Sequence, residues 1–192
     1  MAEHGRVSGG GPDAGGLISA AQAAAQEGKR GAPPVHLWDP PYCGEIDIVI
    51  KRDGTWIHEG TPIGRPGLVK LFASILRLED GRHYLVTPVE KVGLQVEDAP
   101  FVAVDFEAAD GAITFETNVG DRVTADADHP VHVVFAEDGE PSPYVEVRRG
   151  LLALIDRKSF YRLVELGEER DGQFGLASAG SFFPILEADA LR

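Results

Sequence analysis

The sequence predicts an α+β protein of two related β-rich modules, each with one main helix packed on an antiparallel sheet. Three observations lead there. Residues 46–76, IDIVIKRDGTWIHEGTPIGRPGLVKLFASIL, read as strand, tight turn, return strand and helix. The same succession recurs from residue 131. Between the two, short alternating runs are separated by turn residues, as in antiparallel sheets.

In the first module, Ile46, Ile48, Val49 and Ile50 form an apolar run that breaks at Asp53-Gly54, a pair suited to a hairpin turn. Trp56, Ile57 and His58 continue the return strand. From Arg65 the period changes: Leu68, Leu71, Phe72, Ile75 and Leu76 fall at i, i+3, i+4, i+7 and i+8, one face of a helix. Strands are expected at 82–88 and 91–97, giving β-β-α-β-β for residues 35–98. The second, larger module, 99–192, opens with alternation at 101–107 and 113–117 around Asp110-Gly111, with a short strand at 122–125. The connection near Asp98-Ala99-Pro100 is too short to let the modules separate freely.

The repeat spans 131–186. Residues 131–135 answer 46–50, and Asp138-Gly139 answers Asp53-Gly54, both at an offset of 85; after seven extra residues, 155–164 match 63–72 at an offset of 92. The shared pattern is I-x-R-x-x-[LF]-x-[KR]-L-[FV], followed in the second copy by strands near 174–178 and 182–186. A turn, an arginine and a helix recurring in order argue for duplication.

Residues 1–34 are rich in Gly, Ala and Pro and read as a mobile tail. Its alanine-rich helix is short, with almost no large apolar face to dock. No apolar run approaches the roughly 20 residues of a membrane span. One cysteine, Cys43, rules out an internal disulfide framework and fits a cytoplasmic location. The net charge of −13 is concentrated at 79–140, with fifteen acids against three bases. Such a middle repels a phosphate backbone and argues against general duplex nucleic-acid binding.

The phrases CGEIDIVIKRDGTWIHEGTPIGRPGLVKLFASIL, LVTPVEKVGLQVEDAPF and PYVEVRRGLLALIDRKSFYRLV, in that order over residues 36–186, resemble a bacterial family known as domain of unknown function 1285. The resemblance implies a duplicated core in two small domains, the second pleckstrin-homology-like and partly closed. It also implies a ligand site at the domain interface suited to a nucleotide-like molecule, and a signalling role. It carries no catalytic residue set.

The candidate site residues are Trp56, His58, Glu59, Arg65, Arg148 and Arg157. Arg65 and Arg157 recur at the two helix starts, where a cation opposes the helix dipole unless an anion shares the space. Backbone N–H groups at those starts would then complement the arginine forks. The plain alternative is a salt bridge to Glu59 or Asp156. His58-Glu59 is an acid–base pair by type, but neighbours in a strand point to opposite faces unless the strand ends there, which Gly60 permits. His129 and His132 near Asp126 and Asp128 match no strong zinc pattern, and neither GxxxxGK[ST], GxGxxG nor GxSxG occurs. The expectation is a non-enzymatic cytoplasmic module for an anionic ligand, with no metal or cofactor. The alternatives are a protein-interaction module without a small-molecule site, and a hydrolase or lyase using His58 and Glu59.

Overall fold

Alternating apolar residues and glycine-closed turns account for most of the architecture. The computed structural model describes residues 13–27 and 33–188. They divide into two units, the first holding the described residues up to 48 with 58–95, the second 49–57 with 96–188.

In chain order, helix α1 (Ala14–Glu27) precedes strands β1 (Tyr42–Ile50), β2 (Trp56–His58) and β3 (Thr61–Pro62), helix α2 (Pro66–Ser74), and strands β4 (Leu76–Glu79), β5 (Arg82–Val86) and β6 (Lys91–Val96). The six strands form one sheet, β3-β2-β1-β6-β5-β4. Ile46, Ile48 and Ile50 are buried on one face of β1, while Glu45 and Asp47 are exposed on the other, the alternation a half-buried strand requires.

Two expectations change here. The apolar stripe continues through Ile75 and Leu76, but α2 stops at Ser74. Ile75 caps it, and Leu76 starts β4, paired with Leu85. The next turn explains the switch: Asp80 (φ 48°) and Gly81 (φ 78°) take the left-handed pair of a two-residue hairpin, joining β4 to β5. The second change concerns α1. Leu17, Ala21 and Ala24 are buried, and α1 packs on α2. The stripe at i, i+4 and i+7 is narrow, but alanines allow close helix approach, so a small face suffices to dock. The rest of the expected tail, at 1–12 and 28–32, lies outside the described residues.

The second unit contains β7 (Phe101–Ala109), β8 (Ala112–Thr117), β9 (Arg122–Thr124), β10 (Val131–Phe135), β11 (Pro141–Arg148), β12 (Leu151–Ile155), α3 (Arg157–Val164), β13 (Glu168–Arg170), β14 (Gln173–Ser178) and β15 (Ser181–Glu187). One sheet runs β10-β11-β12-β7-β8-β9 and forms a half-barrel, consistent with a pleckstrin-homology-like fold; β13-β14-β15 form a second sheet. β12 joins β7 in parallel through Ala153–Phe101, a pairing outside the antiparallel expectation. Phe101, Phe115, Leu151 and Ile155 are fully buried. So is Ser178, whose Oγ accepts from the Ile113 N–H at 2.8 Å and donates to the Ala125 carbonyl at 2.7 Å. Both backbone groups would otherwise be unsatisfied.

The duplication is visible in chain order and in turn geometry. Both copies run three strands, one helix, three strands. In the first turn the Lys51 N–H donates to the Thr55 carbonyl (2.8 Å), the Gly54 N–H to the Lys51 carbonyl (2.9 Å) and the Thr55 N–H to Asp53 Oδ1 (2.9 Å). In its counterpart, Ala136 donates to Glu140 (2.9 Å), Gly139 to Ala136 (2.9 Å) and Glu140 to Asp138 Oδ1 (3.0 Å). Spatial order also corresponds, β3-β2-β1 to β12-β11-β10 and β6-β5-β4 to β15-β14-β13. The first copy joins its halves in a single sheet. In the second, β10 lies beside β15 but the two belong to separate sheets.

Candidate functional site

Strand β2 ends at His58 because Glu59 (φ 48°) and Gly60 (φ 74°) make a two-residue turn into β3. The chain then passes through Ile63 and Gly64 to Arg65, the residue capping α2, with Pro66 as the first helical residue. That path wraps a cavity of about 260 Å³ within the first unit. Leu68 and Phe72, at i and i+4 of α2, line it together with Ala14 and Ile18, at i and i+4 of α1, and Ile48 of β1. His58, Thr61 and Arg65 supply the polar groups, and among the described residues no acid lines it.

Arg65 is exposed. Among the described residues, no carboxylate pairs with it. The helix start behind it offers few donors. Pro66 has no N–H, and the Leu68 and Val69 amides already donate to the Arg65 carbonyl at 2.9 and 3.2 Å. The expected row of backbone N–H groups at this helix start is therefore shortened: Pro66 lacks one and the 3-10-like first turn uses that of Leu68, while the Val69 bond is the ordinary first helical one.

Arg157 occupies the corresponding place in the second copy with different surroundings. Its Nη2 lies 2.8 Å from Glu140 Oε1, and Asp156 caps α3 by accepting from the Ser159 N–H at 2.7 Å. Both line a separate cavity of about 220 Å³ within the second unit, with Arg52, Glu140, Phe160 and Tyr161. Acids thus answer both the cation and the helix start, so the salt-bridge alternative holds for Arg157, with Glu140 as the acid.

The remaining candidates divide in the same way. Trp56 is buried, 2% exposed, and belongs to the core. Glu59 is exposed in its turn and does not line the cavity that His58 lines. Arg148 sits 2.5 Å from Asp121 Oδ2 and 4.9 Å from the Phe101 ring centre, an ion pair and a cation–π contact within the second unit. His129 Nδ1 lies 3.0 Å from Asp126 Oδ1, and this bond leads the causes that hold the Asp126 carboxyl below its usual range. His132 stacks on Tyr144 at 5.4 Å. The structure therefore groups His58 with Arg65 and places the other four elsewhere. Sequence reading missed Ile18, Thr61 and Ile63. The i, i+4 pair on α2 was legible, but nothing local says that a helical stripe stops short of filling its space.

The comparisons with known proteins agree with the duplicated fold. A DUF1285 family protein from Silicibacter pomeroyi, solved as a crystal structure, is 56% identical, with 91% of this chain and 97% of that one covered and a TM-score of 0.83. A second crystal structure, of a DUF1285 family protein from Shewanella baltica, is 35% identical over 62% of this chain and 91% of that one, with a TM-score of 0.51. No curated protein matches the chain. Residues 33–99 match the model described as domain of unknown function (DUF1285), N-terminal domain, and 100–185 that described as protein of unknown function (DUF1285), C-terminal domain. With both models matched in order over most of its length, the chain belongs to the DUF1285 family.

Proposed function

We propose that this protein is a non-enzymatic binding module for a small anionic ligand, held in the cavity of the first unit with Arg65 at its mouth. One observation carries the reading. In a chain with 31 acids against 18 bases, Arg65 stands without a carboxylate partner among the described residues, beside a cavity that no acid lines. An exposed guanidinium with no carboxylate on it keeps its planar fork open to an anionic group from solution. Binding fits better than acid–base catalysis, because Glu59 is not at the cavity with His58. A module that binds without transforming its ligand suits a sensing role in the cytoplasm. The exposed thiol of Cys43 is in keeping with that compartment. Among the described residues, no helix is long and apolar enough to cross a membrane.

The test is a thermal-shift screen of the full chain against anionic metabolites, nucleotides included, repeated on Arg65→Gln and Arg65→Lys. A ligand that binds only the native state must raise the apparent stability, by about 2.7 kcal/mol at a hundredfold excess over Kd. The expected result is an anionic hit whose shift disappears in Arg65→Gln and shrinks in Arg65→Lys, which keeps the charge and loses the planar fork. Anionic hits indifferent to both substitutions would overturn the assignment, as would a set of hits that are all neutral or cationic.

A further inference from the structure

Resting on that reading, we infer that the cavity takes a small monocarboxylate with an apolar body, rather than a nucleotide or another phosphorylated ligand. Three features of the first unit converge on this class.

The walls are predominantly hydrocarbon, with Ile18, Ile48, Ile63, Leu68 and Phe72 surrounding the space. A sugar or a polyphosphate would lose its hydration there without compensation. An alkyl chain or a phenyl ring would gain by leaving water.

The charge available is one guanidinium. Among the described residues no lysine and no second arginine lines the cavity, so one negative charge is matched and two or more are not. Arg65 presents a planar fork, which pairs with a carboxylate through two parallel hydrogen bonds. His58 and Thr61 are the other polar side chains on the lining. The usual helix-start cradle for phosphate is reduced, because Pro66 brings no N–H and the Leu68 amide is bonded to the Arg65 carbonyl.

The third feature is size. About 260 Å³ lies just under the roughly 300–1,000 Å³ of pockets that hold drug-sized ligands. The space suits a medium-chain or arylalkyl acid. Helix α1 contributes Ala14 and Ile18 to the wall, so its docking on α2 helps to set how long an apolar body can be.

The experiment is calorimetric titration of the full chain with sodium octanoate, 3-phenylpropionate, neutral octanamide, inorganic phosphate and AMP. The expected result is saturable one-to-one binding of at least one carboxylate, weakened about tenfold or more by Arg65→Gln and by replacing the acid with octanamide. Isotope-edited NMR of the unaltered chain supplies a second reading, independent of how any variant folds: the carboxylate should shift the methyl signals of Ile18, Ile48, Ile63 and Leu68. Phosphate or AMP binding that depends on Arg65, with neither carboxylate bound, would overturn the ligand class and leave the binding module standing. Absence of binding by every probe at millimolar concentration would also overturn the class. The broader reading would then stand or fall on the metabolite screen. Carboxylate binding that ignores Arg65→Gln and leaves those methyls unmoved would remove the ligand from this cavity.

Discussion

The Tyr144 hydroxyl donates to Asp98 Oδ1 over 2.8 Å, while Asp98 Oδ2 lies 2.9 Å from Arg52 Nη1. Arg52 also donates from Nη2 to Ser142 Oγ at 2.9 Å. The carboxylate just before the second family domain thus ties strand β11 to the turn at 51–55, all within the second unit. Asp98 is only 19% exposed at its side chain, so the bonds it receives are poorly replaced by water.

Tyr144→Phe should therefore lower stability by about 1.5–3 kcal/mol, the range for a hydrogen bond to a charged group, measured by urea denaturation. Desolvation first and Asp98 second push the Tyr144 hydroxyl above its ordinary pKa. Its folded value being raised, the contribution is present below the unfolded value of about 10 and is lost as pH rises through the folded one. A Tyr144→Phe protein as stable as the parent at neutral pH would refute the tie.

Two glycines should respond unequally to alanine. A Cβ on Gly175 would run into the backbone carbonyl oxygen of Phe183, at the irregularity in the β14–β15 pairing. A Cβ on Gly93 would meet the end of the Glu45 side chain, which can swing toward solvent. Gly175→Ala should cost about 3 kcal/mol from overpacking against backbone that cannot give, and Gly93→Ala under about 1 kcal/mol. Denaturation midpoints of the two variants, taken side by side, check the order; equal losses would contradict it.

His83 on β5 is half-buried opposite Leu78 and Leu94, and burial pushes its pKa down. The folded state therefore binds its proton less readily than the unfolded chain does. Stability is unaffected by this group above the unfolded value of about 6.5, declines as pH falls below it, and levels off beneath the folded value. Replacing the imidazole in His83→Gln should flatten the stability curve below about pH 6.5. A curve of unchanged slope would show that other groups produce the acid sensitivity.

Much of the fold is written locally. Residues 131–135 form a strand with the bounds that their match to 46–50 indicates. Asp53-Gly54 and Asp138-Gly139 build turns with the same three hydrogen bonds. Turn chemistry and apolar period act over a few residues, so one sequence suffices to read them. The helix after each arginine was legible for the same reason, but its end was not. Ile75 and Leu76 satisfy a helical stripe and a buried strand equally well, and pairing with Leu85 decides between them.

The site was legible only in part. His58 and Arg65 are eight positions or fewer from each other and from the turn that gathers them, so the sequence by itself brought them together. What surrounds them required tertiary structure. Ile18 reaches the cavity because α1 docks through Leu17, Ala21 and Ala24, a face too small to announce itself in a hydrophobic pattern. The contrast between the two arginines was likewise decided in three dimensions. Arg157 meets Glu140 from seventeen residues earlier, whereas Arg65 meets no acid among the described residues. The sequence determined which residue types recur at the two helix starts. Only the folded chain decided which charge is neutralised, because ion pairing depends on separation in space, and antiparallel strands bring together residues that are far apart in the chain.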